Sequence, residues 1–346
     1  RNRANGMSRA LRIHRAGPSL TVQDFGRIGF LEFGLSCGGA ADPLALTEGA
    51  ALLGQGLEHA ALEMAGFGGE FEATGEMRIA LTGAPMVARL DDAPLLWNAS
   101  HRLQAGQRLS IGAPQAGMYG YLSIGGGIDF APFLGSRSTH LAGCIGQTLR
   151  GGDSLTAGHD AAPDNFGNYL SPSDRFSGGN IRILPSAQTD LFSAEELARF
   201  TATTFTRGAR GNRQGVALEF DGCPFAAAEQ LFLLSEIMVV GDIQMTGEGA
   251  PFILLPECQT TGGYPRIGTV VPDDLPRMAQ AAPGTVLKFD FVTREVALKA
   301  HVNHAQSYRA LMGKIAPLIR DPHDIRDLLS YQLISGVTAG SENHDT

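Results

Sequence analysis

Gln259-Thr260-Thr261-Gly262-Gly263-Tyr264-Pro265 interrupts two apolar runs. Ala250-Pro251-Phe252-Ile253-Leu254-Leu255 leads into it, and Ile267-Gly268-Thr269-Val270-Val271 leads out. Both runs have the composition of buried strands, so the polar segment lies where two core strands reach the surface. Gln259, Thr260 and Thr261 supply side-chain hydrogen-bonding groups, Gly262-Gly263 lets a ligand approach bare backbone, and Tyr264-Pro265 fixes the exit. Two readings follow from these residues: a binding loop, or a tight hairpin whose Gln and Thr satisfy their own backbone.

The rest of the chain repeats this strand-and-turn texture. Its 346 residues exceed what one core ordinarily serves, so two domains are expected. Forty-five glycines against six tyrosines and one tryptophan call for many turns between short strands. Ile79-Ala80-Leu81, Pro94-Leu95-Leu96-Trp97, Arg108-Leu109-Ser110-Ile111, Tyr119-Gly120-Tyr121-Leu122-Ser123-Ile124 and Ile181-Arg182-Ile183-Leu184 read as strands. A turn-then-strand phrase recurs at 104–112, 150–158 and 282–289, each with glycine at the turn, which suits closed or nearly closed β-barrels.

Helices are few. Asp42-Pro43 opens one as N-cap and first-turn proline, with Gly54 as its stop. Ser193-Ala194-Glu195-Glu196 is a capping box before a short helix ending near Phe200. Asp273-Asp274 reads as the cap of another, complementing its dipole. Residues from Arg294 to Ile319 turn helical, and Asp321-Pro322 restarts a helix to Ile334. The loop at 161–180, rich in Pro, Asn, Ser and Gly, is the best boundary. The reading is therefore mainly β, with domains at 7–165 and 175–292 and a helical C-terminal extension at 293–340. Residues 1–6 read as a flexible leader and 341–346 as a disordered tail.

A net charge of −8 and an isoelectric point near 5.6 argue against nucleic acid and anionic membrane surfaces as partners. No apolar run reaches membrane-spanning length, so the cytoplasm is the expected location. Cys37, Cys144, Cys223 and Cys258 show no Cys-x-x-Cys spacing, and no metal site is recognised. His301 and His304 lack a spaced carboxylate or Cys partner and read as a solvent-facing pair.

Three further polar turns could carry chemistry. In Thr21-Val22-Gln23-Asp24-Phe25-Gly26-Arg27, the Asp and Arg pair across the turn or present the arginine to a carboxylate. Leu134-Gly135-Ser136-Arg137-Ser138-Thr139 is an anion cradle or a capped turn. Gly211-Asn212-Arg213-Gln214-Gly215 binds a carboxylate or amide, or builds an Asx-turn. The run Gly125-Gly126-Gly127 lacks the Lys-Ser/Thr ending and following helix of a phosphate loop.

Taken in order, these turns, with Ala41-Asp42-Pro43, Leu62-Glu63 and Gly126-Gly127-Ile128-Asp129, resemble the biotin-dependent carboxyltransferase-related family over about residues 11–292. That family includes the C subunit of 5-oxoprolinase, the antagonist protein KipA and the carboxyltransferase region of urea amidolyase. The resemblance implies two cyclophilin-like β-barrel domains. It also implies a chain that works with two partners, resembling the B (KipI-like) and A subunits of 5-oxoprolinase. A small lactam or amide substrate is implied, with ATP used by the complex and biotin supplied, if at all, by a partner. Carried over, Arg213, Gln259 and Tyr264 are the catalytic candidates. Arg27, Ser136, Arg137, Asn212, Thr260, Thr261, Gly262 and Gly263 are the substrate-binding candidates. The chain departs from the pattern at Gly38, Ala50, Ala217 and Cys258. The implied activity is opening of 5-oxoproline to glutamate. Carboxyl transfer to urea or a related amide, and KipA-like regulatory binding, are the alternatives.

Overall fold

A computed structural model describes residues 9–228 and 233–319. The leader at 1–6, the helix expected from Asp321 and the 341–346 tail lie outside the described residues.

Alternating apolar segments and glycine turns give a molecule built mostly of strands. In the first half, six strands pair in the order Ser154–Thr156, Ala10–Ala16, Gly69–Ala73, Arg108–Pro114, Met86–Leu90 and Ala93–Leu95. Seven more pair as Leu20–Gln23, Ala61–Ala65, Tyr119–Ile124, Met77–Gly83, Ala99–Leu103, Asn168–Tyr169 and Ala316–Pro317. Leu11, Ile13, Leu62, Phe71, Ile79, Leu109 and Leu122 from both sheets share one buried core. Gly69–Ala73 alternates buried and half-buried residues, as a sheet with one wet face requires. Met77–Gly83 and Tyr119–Ile124 are buried throughout, because helix α1 (Pro43–Leu53) covers their outer face.

The second half closes into a seven-stranded barrel. Its strands run Gly179–Leu184, Arg266–Val270, Asp242–Met245, Pro251–Leu254, Gly215–Glu219, Phe205–Asn212 and Val286–Phe291, and parallel pairing of the first with the last seals the ring. Phe200, Phe205, Phe225 and Phe289 fill it, with ring centroids between 5.0 and 6.0 Å apart in tilted and edge-on arrangements. The mainly β expectation therefore holds. The barrel is the second half, while the first half wraps two separate sheets around its core.

Local signals place the helices. Asp42 caps α1 by accepting from the Ala45 N–H at 3.3 Å, and Gly54 ends it at φ +60°. Ser193 caps α2 (Ala194–Ala202). Helix α3 (Leu275–Gln280) lacks the expected carboxylate cap. Asp274 accepts instead from the Arg182 guanidinium, and Asp273 from the Val302 N–H. The expected single helical run beyond Arg294 divides into α4 (Arg294–Ala300) and α5 (His304–Met312), because Asn303 opens a capping box with Gln306. Tyr308, Leu311 and Ile315 then pack on Leu52 and Leu53 of α1, and Ala316–Pro317 adds to the first half's sheet. The extension thus straps the barrel back onto the first half.

The two halves are also joined through their cores. Ala40, Ala41, Tyr119 and Tyr121 belong to the same apolar cluster as the barrel interior. Gln280 plugs the joint: its Oε1 accepts from the Met118 and Tyr119 N–H groups at 2.9 Å, while its Nε2 donates to Tyr119 O and Asp42 Oδ2 at 2.8 Å. Arg175 bridges Asp42 and Glu48 beside it, with all three buried.

Candidate active-site seam

Four turns meet where the halves join. The Gly38 N–H donates to Pro256 O at 2.9 Å, the Ala142 N–H to Glu257 Oε2 at 3.0 Å, and the Glu257 N–H to Arg213 O at 2.9 Å. A Cβ added at Gly34 would lie 4.0 Å from Thr260 Oγ1. The segments just after the predicted turns at 21–29 and 134–139 are therefore neighbours of the 211–215 turn and of the 259–265 loop with the residues that lead into it.

Arg213 stands at the centre and is only 6% exposed. Its Nε donates to Glu257 Oε1 at 2.5 Å, its Nη2 to Gly39 O at 2.5 Å, and its Nη1 to Glu63 Oε1. Glu63 Oε2 accepts in turn from the Ala41 N–H (2.8 Å) and the Tyr121 hydroxyl (2.6 Å). One guanidinium therefore neutralises two buried carboxylates, which hold its pKa above the ordinary arginine value despite burial. The same carboxylates help push Tyr119 up to about 12, after burial itself. Arg213 is occupied on three sides by protein and is not presented to a ligand.

Sequence reasoning missed Glu257, His140 and Ser36 beside it. His140 is 2% exposed; its Nε2 meets Ser36 Oγ at 2.9 Å and its Nδ1 accepts from the Gly143 N–H at 2.9 Å. An accepting Nδ1 leaves the proton on Nε2, so the neutral ring donates to Ser36 and does not act as its base. Burial lowers the His140 pKa, opposed by Glu257, whose Oε2 lies 4.0 Å from Nδ1. Gly38 is required here: a Cβ would sit 2.8 Å from His140 Cδ2, at a φ of +63°. The available signal was a charged residue inside a strand, Glu63 between Leu62 and Met64.

The turns at 21–29 and 134–139 interlock. Asp24 does not pair with Arg27 as the local reading expected. Its Oδ1 accepts from the Ser136 and Ser138 hydroxyls at 2.5 Å, and its Oδ2 from the Arg137 N–H at 2.6 Å. Ser136 is thus consumed internally, and Arg137 donates through Nε to Phe130 O at 2.7 Å. Arg27 donates to the carbonyls of Phe133 (3.1 Å) and Ser138 (2.5 Å). Its Nη1 is buried with no partner among the described residues, and burial lowers its pKa. Asn212 builds an Asx-turn, accepting from the Gln214 N–H at 2.8 Å.

Over this buried base lies the 259–265 loop. It is not a hairpin, because Asp242–Met245 runs between the strands it joins. Gln259 is exposed and its Nε2 donates to Gln244 Oε1 at 2.8 Å, and its own side-chain oxygen makes no hydrogen bond among the described residues. Thr261–Gly262 pairs with Glu236–Ile237. The Thr260, Thr261 and Tyr264 hydroxyls make no hydrogen bond among the described residues. Tyr264 is 47% exposed. A cavity of 420 Å³ opens alongside, between Phe25, Cys37 and Gly38 on one side and Asp273, His301 and His304 on the other. None of the predicted site residues lines it. The histidines that read as a solvent-facing pair serve the strap: His301 Nδ1 meets Asp273 Oδ2 at 2.9 Å, and His304 stacks on Phe25 with centroids 4.4 Å apart. Gly126 and Gly127 form a tight turn against His159 O and the His59 ring, leaving no phosphate cradle there.

Comparison with known proteins bears on the family and the fold. A family model described as carboxyltransferase domain, subdomain A and B, matches residues 33–291. The C subunit of 5-oxoprolinase from Escherichia coli K12 is 34% identical over 311 residues, 88% of this chain and 98% of that protein. Urea amidolyase of Lachancea kluyveri is 25% identical over 346 residues, 90% of this chain but 18% of that much longer protein. The crystal structure of Kluyveromyces lactis urea carboxylase shares the fold, with a TM-score of 0.78 at 24% identity over 92% of this chain and 31% of that one.

Proposed function

The chain belongs to the carboxyltransferase-domain family, and on that premise we propose that it is the C subunit of an ATP-dependent 5-oxoprolinase, helping to open the lactam of 5-oxoproline to glutamate. The observation that carries this reading is the largely exposed 259–265 loop, whose hydroxyls and Gln259 side-chain oxygen have no partners among the described residues, set over a locked, buried seam.

Opening a lactam places negative charge on its carbonyl oxygen as the ring is attacked. The Thr260 and Thr261 hydroxyls, unbonded among the described residues, are donors suited to that oxygen, and the Gln259 side-chain oxygen is an acceptor suited to the lactam N–H. Gly262 and Gly263 keep side chains out of the approach path, and Tyr264 offers a hydroxyl for the leaving nitrogen. Arg213 acts as a positioning residue, holding Glu63, Glu257 and the Gly39 carbonyl together beneath the loop. Arg27, whose Nη1 has no partner among the described residues, is a buried candidate for an anion contact.

The loop is open to solvent, and a partner protein would close it. Ile28 (83% exposed), Phe33 (75%) and Leu234 (85%) are apolar side chains on segments flanking the loop, suited to such a contact. ATP would be held by the partner proteins. No helix among the described residues is long and apolar enough to cross a membrane.

A second reading, carboxyl transfer to urea or a related amide with biotin supplied by a partner, draws on the urea amidolyase relative. The test is co-purification with homologues of the A and B subunits, followed by assay of glutamate formation from 5-oxoproline and ATP. Turnover that needs every component supports the oxoprolinase reading. A stable complex without turnover counts against it, and activity on an amide with carboxybiotin would establish the second. A complex silent on both would leave KipA-like regulatory binding.

A further inference from the structure

Gln244 lies beneath the 259–265 loop, on the strand Asp242–Met245 that runs between the two strands the loop joins. Ile243 and Met245, fully buried, belong to the barrel core. Strand alternation therefore sends Gln244 to the outer face. There it is still only 5% exposed, and covering an amide costs stability unless its groups are used. The register with Arg266–Val270 shifts between Ile243 and Gln244, which puts Gln244 opposite Arg266 and leaves Ile267 as the extra residue. Such bulges re-aim a side chain and are frequent beside working sites.

One end of the Gln244 amide is spent on the loop. Its Oε1 accepts from Gln259 Nε2 at 2.8 Å. Its Nε2 makes no hydrogen bond among the described residues and would lie 3.8 Å from a Cβ placed on Gly262. That Cβ would come within 3.0 Å of Met238 Cε, so glycine at 262 lets the loop lie close over Gln244. Gln259 is exposed, and no other side-chain hydrogen bond holds it among the described residues. A free glutamine keeps its rotamers open and must give them up when a ligand binds. A buried partner removes much of that cost in advance.

We propose that Gln244 is a positioning residue for Gln259. Anchored in the barrel wall, it holds the Gln259 amide in one place and leaves the side-chain oxygen for the ligand. This role rests on the reading of the loop as the face that meets 5-oxoproline. Gln244 touches the loop and not the substrate, so its contribution passes through Gln259.

The test compares Gln244→Met, Gln259→Ala and the double variant in the complex with A and B subunit homologues, assayed with 5-oxoproline and ATP. Gln244→Met keeps the length and bulk of the side chain and removes the amide. It should lower kcat/KM about fivefold, the size of one side chain's restored rotamer freedom, without lowering the thermal midpoint of the isolated chain. The double variant should be no slower than Gln259→Ala alone, because the side chain through which Gln244 acts is already gone. A purely structural Gln244 would instead multiply the two losses. Gln244→Asn keeps an amide but draws it back by one methylene, and it should show the same pattern if Gln244→Met folds poorly. Wild-type kcat/KM in both single variants at 244, or losses that multiply in the double variant, overturns the proposal. A wild-type complex silent on 5-oxoproline overturns the oxoprolinase reading, and this role falls with it.

Discussion

The buried base of the seam and the loop above it are built from similar residue types and behave oppositely. Below, Arg213, Glu63, Glu257 and Tyr121 satisfy one another and are out of water. Above, Gln259, Thr261 and Tyr264 are exposed, and the hydroxyls of the latter two are unbonded among the described residues. Polar groups already paired inside a protein set geometry, whereas unpaired ones at a rigid rim are available to a ligand. The comparison separates residues that hold the site from residues that touch what enters it.

Arg213→Ala should break the lower region hardest. It leaves two buried carboxylates without a counter-charge, a loss of about 3–5 kcal/mol read by denaturant unfolding. Activity lost in this variant should track lost fold. Gln280→Ala comes next. It orphans the Met118 and Tyr119 N–H groups at the joint between the halves, for about 1–3 kcal/mol on the same measurement.

Acid should then sharpen the contrast. The folded His140 pKa lies below the ordinary value of 6.5 because burial disfavours its charged form. Between the two values the unfolded chain binds the extra proton, so stability falls as pH drops below 6.5 towards the folded pKa. Arg27, Arg213 and Glu257 are the charged groups around the ring, and the loop above contributes none. His140→Gln should flatten this slope in unfolding measured between about pH 7 and 5, the ordinary histidine range. Smallest in stability is Thr261→Ala, within about 0.5 kcal/mol, since its hydroxyl has no partner to lose among the described residues. Its effect belongs in turnover of the assembled complex.

What the sequence disclosed divides along the same line. Helix α1 was legible because its start and stop are encoded by adjacent residues, Asp42-Pro43 and Gly54. The strands around the 259–265 loop were legible from their apolar runs, and the mainly β class followed. The pairing of Asp24 with Arg27 was misread because Asp24 is claimed by Ser136 and Ser138, separated from it by 112 and 114 positions. Arg213 looked like a ligand contact for the same reason: its carboxylates lie 150 and 44 positions away. Local sequence shows which groups are polar, and only the topology shows whether they meet each other.

The most direct test is turnover of 5-oxoproline with ATP by the full complex carrying Gln259→Ala, with the thermal midpoint of the isolated chain measured alongside. An unchanged midpoint with turnover reduced at least about tenfold, a loss of one transition-state hydrogen bond, is the predicted result. Full turnover by a normally folded variant would contradict the assignment of the open loop as the working face.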